Sequence, residues 1–85
     1  MPRLRAYTES RRIIVGIDTH KDIHVAVALD HLGVRLAELQ VRTTLAGYTR
    51  LEQWATNLGT VEAFGIEGTG SYGAGLARFL RTRHH

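Results

Sequence analysis

The chain has no cysteine, a single proline and no long apolar run. Each scarcity removes a class of protein. Without cysteine there is neither a disulfide framework nor a thiolate metal site, and a reducing cytoplasm is the expected location. No stretch approaches the roughly 18 apolar residues of a membrane span, and the arginine-containing start lacks the apolar segment of a secretory signal. With one proline, 44% hydrophobic and 22% charged residues, the composition is that of a chain that buries a core. Its 85 residues suffice for one small domain and not for two separate cores.

The net charge of +3 hides a segregation. Arg3, Arg5, Arg11 and Arg12 precede the first apolar run, and Arg78, Arg81 and Arg83 crowd the other end. Between them, Lys21, Arg35, Arg42 and Arg50 are outnumbered by Asp18, Asp22, Asp30, Glu38, Glu52, Glu62 and Glu67. Residues 1–12 therefore read as a basic tail and residues 13–85 as the folded unit. Basic ends can track a phosphate backbone, which makes Arg11, Arg12, Arg81 and Arg83 candidate nucleic-acid contacts. A solvated arginine-rich terminus is the commoner explanation of such runs.

The stretch "IIVGID" after Arg12 is short, β-branched and closed by a carboxylate, as a buried strand would be. After the polar turn "THKD", Ile23 to Asp30 alternates Val25, Val27 and Leu29 against His24, Ala26 and Ala28, a second strand with unequal faces. The alanines imply close packing behind it. "DHLG" makes a hairpin into "VRLAELQV", where the apolar phase slips from Val34 and Leu36 to Leu39 and Val41, as a β-bulge near Ala37 would cause. Tyr48, Leu51, Trp54, Ala55 and Leu58 then recur at helical spacing, with Thr44 as N-cap and Gly59 as stop. On that stripe Trp54 reads as a core anchor and not a base-stacking platform. "VEAFGIE" is a fourth strand, and Tyr72 to Arg83 a second helix with Leu76, Phe79 and Leu80 on one face. The order β-β-β-α-β-α predicts an α/β fold with a mixed sheet. Three strands form an antiparallel meander, and a right-handed crossover brings the fourth parallel to the first.

The first strand ends Gly16-Ile17-Asp18 and the fourth ends Gly65-Ile66-Glu67. Neighbouring strands lie about 4.8 Å apart, so parallel pairing in register sets the two carboxylates side by side at the carboxyl edge. That edge is where open sheets with parallel strands build their sites. Two carboxylates this close need a shared proton or a cation, and a hard divalent ion such as Mg²⁺ or Mn²⁺ suits them. Taken singly, each acidic residue is as well explained as a turn or helix cap. As a matched pair, Asp18 and Glu67 read as catalytic metal ligands. The preceding glycines leave room either for a substrate backbone or for a close strand–helix contact.

"VGIDTHKDIHVAVALD", the helix "LAGYTRLEQWATNLG" and "GIEGTGSYGAGLARFL" together resemble the N-terminal part of the DEDD transposases of the insertion sequence one-ten family. That resemblance implies a ribonuclease H-like, RuvC-like catalytic domain, with Asp18 as the first acidic residue and Glu67 as the second. The third and fourth acidic residues, and a C-terminal domain bearing a serine nucleophile, lie further downstream in the family. The chain is accordingly expected to be truncated, an N-terminal fragment of a DNA transposase or recombinase. Such an enzyme carries out metal-dependent strand cleavage and transfer, is expected to work as a homo-oligomer, and in some members uses a structured RNA to guide target choice. With two of four acidic ligands, the fragment alone is expected to bind Mg²⁺ weakly and to have little or no activity.

Other signals are weaker. His20 and His24 have the spacing of a helical zinc pair but fall in turn and strand. Lys21 is placed either to reach a scissile phosphate or to be a solvated turn residue. "GTGSYG" matches the G-x-G-x-x-G dinucleotide fingerprint, yet Glu67 abuts its first glycine, where its charge opposes a pyrophosphate. Ser71 fits a helix cap better than a hydrolase nucleophile, with Gly68 and Gly70 permitting a sharp entry. Two alternatives stand beside the transposase reading. One is an actin-like or sugar-kinase-like ATPase lobe, which shares the element order but needs small hydroxyl residues where "THKD" stands. The other is a non-catalytic nucleic-acid-binding module.

Overall fold

A computed structural model describes residues 11–68 and 71–85. The expectations for Arg3, Arg5 and Gly70 lie outside the described residues. The elements are β1 (Arg12–Thr19), β2 (Ile23–Asp30), β3 (Arg35–Arg42), α1 (Leu45–Leu58), β4 (Thr60–Glu67) and α2 (Ala74–Thr82). The sheet order is β3-β2-β1-β4, with β1 antiparallel to β2 and parallel to β4. This is the β-β-β-α-β-α arrangement of a small ribonuclease H-like α/β fold. No helix among the described residues is long and apolar enough to cross a membrane.

Period-two patterning decides which face is covered. Ile13, Val15 and Ile17 of β1, Ala26 and Ala28 of β2 and Val41 of β3 are buried together with Leu51 and Ala55 of α1 and Leu76 and Leu80 of α2. Both helices thus lie on one face of the sheet. On β2 the small residues face α1 and α2, and the larger Val25, Val27 and Leu29 line the opposite face, which carries neither of these helices and where they are half-buried. The alanines let the helix layer approach the sheet closely.

Local signals account for the joints. Asp30 Oδ1 accepts from the amides of Leu32 and Val34, both at 2.9 Å, closing the β2–β3 hairpin. The Val34 amide is the main reason its carboxyl titrates below the ordinary aspartate value. The register slips between Ala28 and Leu29, opposite Ala37 and Arg35, so Leu36 is the extra residue of a bulge. Thr44 caps α1, its hydroxyl accepting from Gly47 N–H at 3.0 Å, and Gly59 ends the helix. Trp54 packs half-buried against the core.

Two expectations are corrected, and one further contact is new. Ser71 does not cap α2: the N-cap is Gly73, without a side-chain cap bond, and Ser71 contributes only its carbonyl, which accepts from Ala74 N–H at 3.1 Å. The helix starts two residues later than the apolar spacing implies, which leaves Ser71 and Tyr72 in the preceding turn. Arg11 and Arg12 are tied to the sheet and are not tail: Arg12 opens β1, and Arg11 accepts from Thr60 N–H at 2.7 Å while its Nε donates to the Leu58 carbonyl. His85, at the end of the chain, is packed: its ring meets Phe64 edge-on at 5.0 Å and its Nε2 lies 2.9 Å from Oε2 of the buried Glu52. Arg83 Nε donates to Glu52 Oε1 at 2.9 Å, so Arg83 and His85 together hold the end of α2 against α1.

Candidate functional site

β1 and β4 run side by side with Gly16 opposite Gly65, Ile17 opposite Ile66 and Asp18 opposite Glu67. The two carboxylates are therefore register partners at the carboxyl end of the parallel pair. The pairing survives an irregularity between Ile13 and Ile14, which sits at the far end of the strands. Ile17 and Ile66 turn toward α1 and α2, so Asp18 and Glu67 fall on the face opposite these helices, and both are exposed among the described residues. Among the described residues neither carboxylate caps a helix or turn. Gly16 and Gly65 share that face, and a Cβ added to either would meet nothing within 4 Å. The strand–helix explanation of these glycines fails, and they form a bare floor beside the carboxylates. Gly16, Asp18 and Glu67 line an open groove of about 520 Å³ walled by Val25, Val27 and Leu29, with Arg35 and Glu38 on its rim.

The turn after β1 adds one contact the sequence did not reveal. His20 Nε2 lies 3.0 Å from Asp18 Oδ2, both side chains being more than half exposed. The turn itself is pinned: His20 N–H donates to Ile23 O at 3.0 Å, and Thr43 Oγ1 donates to the His20 carbonyl at 3.2 Å. Lys21 is exposed on the same turn.

His24 points the other way. It is fully buried, stacked on Tyr48 at 6.0 Å, and its Nε2 has no partner among the described residues. Nδ1 sits 3.1 Å from Ile23 O and 3.3 Å from His20 N. A ring protonated on Nδ1 donates to that carbonyl, and His20 N–H retains its own bond to the same oxygen. Burial lowers its pKa below the ordinary 6.5, against a smaller opposing effect of the Ile23 carbonyl, and His20 adds a further lowering. Below that ordinary value the unfolded chain takes up a proton that the folded chain refuses, so stability falls as pH drops through about 6.5 toward the folded-state pKa. Urea titrations from pH 7.5 to 5 are expected to show this slope in the wild-type chain and a shallower one in His24→Phe. His20 and His24 thus do not converge, and no group of three or more His, Cys, Asp or Glu side chains able to hold a metal occurs among the described residues.

The basic candidates are not gathered at the carboxylates. Arg11 and Arg12 lie at the opposite end of β1, about 20 Å from Asp18 at the usual strand rise, and Arg12 pairs with Glu62 at 3.9 Å. Arg83 is engaged by Glu52 and lies 6.0 Å from the Phe79 ring centroid. Arg81 is exposed in the last turn of α2. Lys21 alone among them adjoins the paired carboxylates in sequence and turn.

A family model described as a transposase, that of the DEDD transposases of the IS110 type, matches residues 15–85. The chain belongs to that family. This transposase chain carries the match over nearly all of the sheet and both helices, including Asp18, Glu67 and the turn between β1 and β2. Family membership decides against the ATPase-lobe alternative and makes DNA the partner that the family implies. No curated protein matches the transposase chain.

Two features of the site escaped the sequence reading. By spacing alone His20 reads as half of a zinc pair, and its contact with Asp18 carries no local signal. Thr19 was unremarked, although its place in the alternation of β1 puts it on the helix side, where it is 5% exposed.

Proposed function

We propose that Asp18 and Glu67 are two ligands of a divalent-cation centre, Mg²⁺ or Mn²⁺, used for DNA strand cleavage and transfer in transposition. The observation that carries this reading is their in-register pairing at the carboxyl edge of β1 and β4, on the exposed face. The residues fit such a cation: the donors are oxygens, and both are open to solvent, so room remains for water and phosphate oxygens. When bound, the cation activates a nucleophile and stabilises the leaving oxygen of a phosphodiester. The chain's own residues prepare the site. Asp18 and Glu67 supply negative charge from adjacent strands, and the His20 imidazole holds one oxygen of Asp18. Gly16 and Gly65 leave the floor clear for a sugar-phosphate backbone. Lys21 is assigned to a nearby phosphate, and Arg11, Arg12, Arg81 and Arg83 to the more distant backbone, with Arg83 first having to leave Glu52. A structured guide RNA and a homo-oligomeric working form belong to the same proposal through the family resemblance, and a cytoplasmic location through the absence of cysteine.

Two carboxylates form a weak site, so millimolar Mn²⁺ and a sensitive readout are appropriate. Paramagnetic broadening of amide resonances is expected around 16–21 and 65–68, and to be lost in Asp18→Asn and in Glu67→Gln. Broadening that persists in both variants contradicts the reading.

A further inference from the structure

We propose that Thr19 is a positioning residue for the Asp18–Glu67 pair, an inference that rests on the cation reading above. Thr19 directly follows Asp18 and is the last residue of β1. Its buried hydroxyl donates to the backbone carbonyl of Glu67 at 2.8 Å, linking the two carboxylate-bearing residues' strands at their ends.

The bond stands where the backbone ladder runs out. Asp18 and Glu67 are the last register partners of β1 and β4. Thr19 is the next and last residue of β1, and beyond it the amide of His20 turns away from β4 to donate to Ile23 O. At this last rung the Thr19 hydroxyl adds a side-chain bond to the Glu67 carbonyl beyond the strand pairing. Fixing that peptide fixes where the Glu67 side chain starts relative to Asp18.

The following loop is shaped around the same residue. Gly68 has φ 137, a conformation that side chains rarely adopt, and a Cβ there would collide with Thr19 Oγ1 and lie 2.8 Å from the Thr19 carbonyl oxygen. A Cβ on Gly73 would lie 2.8 Å from Ile66 Cγ2 and 3.2 Å from Thr19 Cγ2. Gly68 and Gly73, which flank the approach to α2, thus both lie against Thr19. Two of the glycines in "EGTGSYG" serve this contact, and a phosphate cradle is not needed to explain them.

Valine and serine separate positioning from packing. Thr19→Val keeps the shape and loses the hydroxyl, whereas Thr19→Ser keeps the hydroxyl and loses the methyl. The 85-residue chain is titrated with Mn²⁺ alone, followed by amide broadening, with Asp18→Asn as the control for binding at this edge and thermal melting as the control for folding. Positioning predicts Mn²⁺ affinity roughly tenfold weaker in Thr19→Val, the scale of outer-shell partners of metal ligands, with affinity retained in Thr19→Ser. The inference is overturned if Thr19→Val binds as wild type, or if Thr19→Ser loses affinity while folded. Should the valine chain melt below the working temperature, the serine variant against Thr19→Ala decides: retention in serine and loss in alanine supports positioning, and equal affinity in both overturns it. Wild-type chain that shows no Asp18-dependent Mn²⁺ binding overturns the cation reading itself and the inference with it.

Discussion

In a full-length transposase that carries this chain, Asp18→Asn and Glu67→Gln, each alone, are expected to lower transposition in cells by roughly a hundredfold or more at unchanged protein abundance, the consequence the proposed cation site has for losing a ligand. Both substitutions preserve shape and remove one negative charge. Both positions are exposed, and Asp18 keeps 65% of its side chain accessible. Exposed replacements of this kind usually alter stability by less than about 0.5 kcal/mol, so a loss of function is not explained by unfolding. The relaxation of carboxylate repulsion can even raise stability slightly, which sharpens the contrast: a more stable chain that does not transpose. The readout is transposition frequency beside immunoblot levels. A Glu67→Gln transposase at wild-type frequency would remove Glu67 from the site and leave its alignment with Asp18 without function.

Leu51→Ala is the second large effect and concerns the platform. Leu51 is 0% exposed, on the face of α1 that packs with β1, β2 and α2 residues in the core. Removing its branched end costs the lost burial and leaves a cavity, about 3–4 kcal/mol at such a site. An 85-residue domain has about 4–13 kcal/mol in all, so the loss takes a large share and is read as a lower urea midpoint with an unchanged slope. Leu45, one residue into the same helix, is 68% exposed. Leu45→Ala is its control, expected to shift the midpoint little. Equal effects at the two positions would mean that α1 does not sit on the sheet as described.

The elements that patterning identifies best are those where one face is buried. The stripe of α1 with its Thr44 cap, the four strands and even the bulge beside Ala37 are legible because apolar periodicity and capping chemistry are local properties. The Asp18–Glu67 pairing is legible for a different reason: two strands ending in the same three-residue pattern acquire a meaning once they are parallel neighbours. What remained hidden depends on places where the chain meets itself. Glu52 reads as one more charge on a helix until Arg83 and His85 close on it from the end of α2. His24 alternates with alanines and gives no sign that its ring lies flat against Tyr48. Thr19 is an ordinary strand residue until its hydroxyl meets the Glu67 carbonyl on the neighbouring strand. The start of α2 was misplaced because Ser71 and Tyr72 look competent for a helix, whereas the turn before α2 uses them first.

The glycines before α2 show the same distinction. As letters they match a nucleotide fingerprint, but in the fold Gly68 and Gly73 clear space for Thr19, and the proposed cation ligand is the residue just before them, Glu67. Gly16 and Gly65, by contrast, face open space, where a side chain would fit the fold without hindrance. Their bareness is a property of the exposed face on which the carboxylates stand.

The most direct measurement is the anomalous scattering of Mn²⁺ soaked into crystals of the chain. The account predicts a peak at the carboxyl edge of β1 and β4, within about 2.0–2.3 Å of carboxylate oxygens from both Asp18 and Glu67, as expected for a hard cation with oxygen ligands. An edge without a peak under soaking conditions that saturate Asp18-dependent binding in solution, or a peak held by other residues, would contradict it.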